Sequence, residues 1–200
     1  MSAALPAPAD PPPALAPALA PAPDDAALLA AFLDGDDRAF ESIYQRYRDP
    51  VTSYAWRMLQ RREVAEEVAT EVFCRIVRGA CRPGGSLRSY LFTVTHRLCL
   101  DRLRRRSIAD RAWRLIRVTP GPAPDSPEAD ALADEDRRRL ERAIARLPES
   151  HRATVLLFYG QELPSKEVAE ILGLEDHQVR SQLSYARRRL RALLTEGEEP

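Results

Sequence analysis

The chain has 200 residues with 30 basic and 30 acidic side chains, so its formal net charge is zero and only the distribution of charge points to a partner. Cys74, Cys81 and Cys99 are an odd set without CxxC or His spacing, which excludes a disulfide framework and a zinc site and fits a reducing cytoplasm. The Ala/Pro-rich start lacks the basic region of a signal peptide, and no apolar run approaches the ~18 residues of a spanning helix, which argues against membrane insertion.

In chain order, residues 1–23 are low-complexity Ala and Pro, expected to be disordered or extended. Asp24 and Asp25 are caps for a short helix through Phe32. Phe40, Ile43, Tyr44 and Tyr47 form one apolar stripe; Asp49-Pro50 reads as the start of a new helix whose face is Val51, Tyr54, Ala55 and Met58. Ala65, Val68, Val72 and Ile76 make the next stripe. Residues 79–85, with Pro83, are a break, and Ser86 caps a long helix with an inner face of Leu87, Leu91, Val94 and Leu98. Residues 118–136 are rich in Pro, Gly and acids with no period, hence a linker. Helical sequence resumes at Arg137. Val168, Ala169, Ile171 and Leu172 recur at helical spacing, Gly173 breaks the period, and Val179, Leu183, Ala186 and Leu190 restart it: a helix-turn-helix.

No stretch alternates like a strand. The expected fold class is therefore all-α, with two small helical domains, 24–117 and 137–195, joined by a flexible acidic Pro-rich linker and followed by a short tail, 196–200. Residues 97–117 carry eight arginines against Asp101 and Asp110, and residues 177–191 carry five arginines and no acid. Two basic segments with an acidic stretch between them suggest two contacts with a polyanion, and a basic second helix after a glycine turn is the arrangement that enters the DNA major groove.

Four segments carry a family resemblance. Residues 35–51 (GDDRAFESIYQRYRDPV), 63–79 (EVAEEVATEVFCRIVRG) and 86–106 (SLRSYLFTVTHRLCLDRLRRR) resemble, in order, the region 2 helices of bacterial extracytoplasmic-function sigma factors of the sigma-70 superfamily; residues 137–194 resemble the same family's region 4. The resemblance implies a cytoplasmic, non-enzymatic factor whose partners are core RNA polymerase, at its clamp helices and flap, and promoter DNA, both duplex and melted. An anti-sigma protein is a further partner that the family admits. No cofactor or metal is implied.

By resemblance, Glu63, Glu66, Glu67, Thr70, Glu71 and Arg75 grip the polymerase clamp helices. Thr70 stands where the family commonly has Gln, and Val77 where it has Trp. Tyr90, His96, Arg97, Arg102, Arg104, Arg105 and Arg106 would serve the −10 element, the arginine run on phosphates and the aromatic side on unstacked bases. Lys166, His177, Gln178, Arg180, Ser181, Gln182, Tyr185, Arg187 and Arg188 would serve the −35 element, with Arg189 on phosphate or domain packing. Gln182 and Tyr185 stand where Arg is customary, so sequence choice is altered or binding weakened. Two alternatives therefore stay open: a degenerate sigma-like protein that holds polymerase without opening promoters, and a stand-alone helix-turn-helix regulator. An enzyme finds no support, since no paired carboxylates, ligand cluster or nucleophile–base set is visible.

Overall fold

The computed structural model describes residues 25–79, 86–115 and 133–195, with side chains left aside at 108–115 and 133–134. The expectations for the N-terminal tail, for Cys81 and the rest of the 80–85 break, for most of the linker and for the last five residues fall outside this range. Among the described residues all regular structure is α-helical: α1 (Asp25–Leu33), α2 (Asp37–Leu59), α3 (Arg62–Val77), α4 (Leu87–Leu115), α5 (Ala133–Ala145), α6 (Glu149–Phe158), α7 (Ser165–Leu172) and α8 (Asp176–Thr195). Helix α4 runs to Leu115, inside the expected first domain, whereas α5 begins at Ala133, before the expected start at Arg137.

Asp36 starts α2, its carboxylate accepting the Arg38 N–H at 2.9 Å. The helix does not restart at Pro50. Proline there removes the N–H that would bond the Arg46 carbonyl, a loss of about 3 kcal/mol inside a helix. Tyr47, Val51, Tyr54 and Met58 nevertheless form one continuous buried face on both sides of it. Each such side chain contributes about 1.5–3 kcal/mol when buried, so packing outweighs the break. The predicted faces of α3 and α4 are likewise buried, and α1 to α4 pack together. Ser86 caps α4 as expected, accepting the Ser89 N–H at 3.2 Å.

Helices α6, α7 and α8 pack on one another, and α5 lies against α8. Gly173 ends α7 at φ +66°, the left-handed conformation glycine adopts without penalty, and its N–H returns to the α7 carbonyls. No side chain caps the start of α7, and Glu167 accepts from the Ser89 hydroxyl of α4 at 2.6 Å.

That last contact belongs to a seam between the two helical groups. Helix α7 packs on α4, and α5 and α6 pack on α2. Arg152 of α6 donates to the Met58 carbonyl at 3.0 Å, at the C-terminal end of α2, and to the carbonyls of Ala145 and Leu147. A cation is favourable at those orphan carbonyls. Burial lowers the Arg152 pKa from its ordinary value, opposed by nearby Glu149. Arg57 faces Glu141 at 3.5 Å, and Arg88 donates to the Gln161 carbonyl. The apolar core runs through both groups, but the buried Nε atoms of Arg57, Arg88 and Arg152 have no hydrogen-bond partner.

Candidate functional site

Three surfaces gather the residues singled out in the sequence. On α3, Glu63, Glu66, Glu67, Thr70 and Glu71 share one side through i, i+3, i+4 spacing, opposite the buried Ala65–Val68–Val72–Ile76 face. Glu63, Glu66, Glu67 and Thr70 are exposed; Glu71 and Arg75 are half-buried. Arg62 pairs with Glu66 at 3.1 Å and Arg75 with Glu71 at 2.7 Å, which orients the carboxylates while leaving the ridge acidic. The Thr70 hydroxyl donates to the Glu66 carbonyl of the previous turn.

The basic end of α4 lies beside this ridge. Arg102 reaches Glu67 at 3.7 Å, and Arg104 lies 3.9 Å from Asp101. Arg97, Arg104, Arg105 and Arg106 are exposed, as a phosphate-contacting track requires. Tyr90 is half-buried against the core. His96 is not on this track. It is buried at 9% exposure, with Nδ1 3.0 Å from the buried Tyr54 hydroxyl. Burial, aided by neighbouring Arg97, pushes its pKa down to about 4, so the ring is neutral and serves packing rather than DNA.

On α8 the expected reading face divides. His177, Arg180, Ser181, Tyr185, Arg188 and Arg189 are exposed, and so is Lys166 on α7. Arg180 is drawn back to Asp176 at 2.6 Å. Gln178 is used locally: its Oε1 accepts the Glu175 N–H at 2.9 Å, the reciprocal half of a capping box at the start of α8. Gln182 turns inward, where its Oε1 lies 2.5 Å from the Thr154 hydroxyl of α6. Tyr185 rests on His151, ring centroids 4.5 Å apart, and Arg187 donates to the Tyr159 hydroxyl at 2.8 Å. Helix α6 thus supports the face that α8 presents. Sequence reasoning missed this role of His151, Thr154 and Tyr159, as it missed the seam arginines. The only local signal is polar residues set within an apolar helix, and it names no partner.

Among the described residues no group of three or more His, Cys, Asp and Glu side chains is placed to hold a metal, and no helix is long and apolar enough to cross a membrane.

Comparison with known proteins places the chain in a family. The family model for Sigma-70 region 2 matches residues 43–108, and that for Sigma-70, region 4 matches residues 137–190. The chain is 32% identical over 174 residues to the ECF RNA polymerase sigma factor SigM of Mycobacterium tuberculosis, covering 85% of this chain and 84% of the relative. It is 30% identical over 172 residues to SigK of Mycolicibacterium vanbaalenii, covering 84% and 88%, and 25% identical over 168 residues to the RNA polymerase sigma factor YlaC of Bacillus subtilis, covering 80% and 95%. Two solved structures share the fold: CnrH in complex with the cytosolic domain of CnrY (TM-score 0.65, 19% identity, 88% of this chain and 99% of that one), and RpoE in complex with the anti-sigma factor NepR from Bartonella quintana (TM-score 0.62, 18% identity, 78% and 96%). With both regions matched in order and two relatives at 30% identity or above, this chain belongs to the extracytoplasmic-function sigma factors of the sigma-70 family.

Proposed function

We propose that this alternative sigma factor docks core RNA polymerase through the α3 ridge, holds melted −10 DNA along the basic end of α4 and reads duplex −35 DNA with α8. The observation that carries the assignment is the coincidence of charge with family position. The exposed carboxylates fall in the region 2 match, and the exposed arginines fall at the end of that match and on the last helix of the region 4 match. Arg104, Arg105 and Arg106 neutralise phosphates and add affinity with little sequence choice. His177, Ser181 and Tyr185 are the base-reading candidates on α8. With Gln182 turned inward and the Gln178 Oε1 held by the Glu175 N–H at the helix start, sequence choice falls to fewer side chains than the sequence pattern suggested. The work is binding and strand capture, without a catalytic group of its own, in the cytoplasm where polymerase and DNA meet.

The packed arrangement is not the promoter-bound one. The two elements are about 25 base pairs apart, on the order of 85 Å of duplex. A packed 200-residue chain has a radius of gyration near 16 Å by size scaling. Residues 116–132 reach up to about 60 Å when extended, so opening the seam supplies the span. The related RpoE structure contains an anti-sigma factor; a regulator that favours the packed arrangement would keep this factor from promoters.

Run-off transcription with core polymerase on a genomic fragment library tests the reading. Discrete starts that appear only with this chain are expected. Co-purification with core without any transcript would favour the degenerate sigma-like reading, which the inward turn of Gln182 keeps in play.

A further inference from the structure

Helix α6 crosses the inner side of α8 and takes hold of both its flanks. Near the start of α6 the His151 ring lies 4.5 Å from that of Tyr185; just past its end the Tyr159 hydroxyl accepts from the Arg187 Nε at 2.8 Å. Tyr185 and Arg187 are two residues apart, so they stand about 200° apart around the helix, on either side of buried Val179, Leu183 and Ala186.

The two flanking arginines of α8 are held in different ways. Arg180 pairs with the Asp176 carboxylate at 2.6 Å, which fixes it and offsets its charge. Arg187 is held by a neutral oxygen, so its charge is undiminished. Its neighbours at i±3 and i±4 are Leu183, Ser184, Leu190 and Arg191, with no carboxylate among them, and the acceptor comes from α6 instead. The bond is made through Nε. The outer edge of the guanidinium, its two terminal nitrogens, makes no hydrogen bond or ion pair among the described residues, and Arg187 is exposed. Tyr159 is itself firmly placed. Its N–H bonds the Val155 carbonyl at 2.9 Å, and its ring packs edge to face on Phe158 at 4.9 Å, which in turn packs on the core.

We propose that Tyr159 is a positioning residue for duplex binding: it holds Arg187 so that the free edge of the guanidinium meets one backbone phosphate.

The proposal rests on the reading of α8 as the helix that enters the duplex. Arg187 lies about three turns into α8, beyond the first turns that reach base edges and where side chains meet the phosphate walls of the groove. A planar guanidinium presents its N–H groups in a fixed fork that matches two phosphate oxygens. A free arginine gives up rotamer freedom when it makes that contact, and one already anchored at Nε gives up less. The hydroxyl therefore adds affinity without adding a charge, at a residue that sequence spacing alone does not connect to DNA.

The test uses the full chain without polymerase and a mixed-sequence fluorescent DNA duplex, because phosphate contacts carry no sequence information. Anisotropy gives affinity across a series of salt concentrations. Arg187→Ala should lower the slope of log affinity against log salt by about 0.9, the value for one lost phosphate contact. Tyr159→Phe removes one oxygen at an exposed position and keeps the ring on Phe158. It should weaken binding about threefold or more with an unchanged circular dichroism spectrum, and should weaken the Arg187→Ala variant no further. Equal affinity of parent and Tyr159→Phe would overturn the proposal. So would the same loss in both backgrounds, because Tyr159 would then act independently of Arg187. An unchanged slope in Arg187→Ala would instead remove Arg187 from the DNA surface, and the proposal with it.

Discussion

The side chains that depart most from the sequence reading are His96, Gln178 and Gln182; Gln178 is taken by its own helix start, and the other two depart for one reason. A polar residue on a helix shows its spacing in the sequence but not what the neighbouring helix offers it. Gln178 stands three residues after Glu175 and satisfies the backbone there. Gln182 finds Thr154, 28 residues away. His96 finds Tyr54 across the α2–α4 contact. The exposed acids of α3 and the α4 arginines were legible because charge at helical spacing opposite an apolar stripe can only face outward. The inward His96 has a measurable consequence. Its folded pKa is about 4 against an ordinary 6.5, so the unfolded chain binds more protons between those values. The stability it protects is complete above pH 6.5 and falls as pH drops, by about 3 kcal/mol at pH 4. His96→Gln keeps a polar partner for Tyr54 and removes the titration. Urea unfolding of parent and variant at pH 7 and pH 4.5 should show the parent losing more stability, and parallel losses would place His96 in solvent.

At the scale of elements, the apolar stripes of five helices were legible, as were the Ser86 and Gly173 boundaries, while the course of α2 through Pro50 and the start of α5 were not. Periodicity located the buried faces of α2, α3, α4, α7 and α8 because a 3.6-residue repeat survives in sequence. Asp49-Pro50 looked like a boundary because local chemistry favours one, and tertiary burial on both sides overrode it. Pro50→Ala should therefore raise stability by about 1–3 kcal/mol, by restoring a hydrogen bond to the Arg46 carbonyl in a helix that already exists. Chemical denaturation measures this directly, and an unchanged or lower midpoint would mean that the proline is needed where it stands. The exposed end of α4 carries a separate expectation. Arg104→Ala with Arg105→Ala should weaken promoter complexes and lower the slope of log affinity against log salt by about 1.4–1.8, the value for two lost phosphate contacts. Equal slopes would remove those arginines from the DNA surface.

At the scale of the whole molecule, two helical groups and their order were legible, while their packing was not. The seam joins residues as far apart as Met58 and Arg152 through a backbone carbonyl, and no pattern in the sequence encodes a carbonyl acceptor. Its arginines bond mainly to backbone carbonyls and leave three buried Nε atoms without a partner, an unsatisfied polar cost set against the apolar core shared by the two groups. The central claim is that the α3 ridge is the handle by which core polymerase takes hold. Glu66→Lys with Glu67→Lys reverses two exposed charges whose pairs with Arg62 and Arg102 contribute no more than about 1 kcal/mol each, so the fold should persist. Affinity for core polymerase, measured by fluorescence anisotropy at moderate salt on the full chain, should fall tenfold or more, about 1.4 kcal/mol, with an unchanged circular dichroism spectrum. Undiminished affinity in a folded variant would contradict the account.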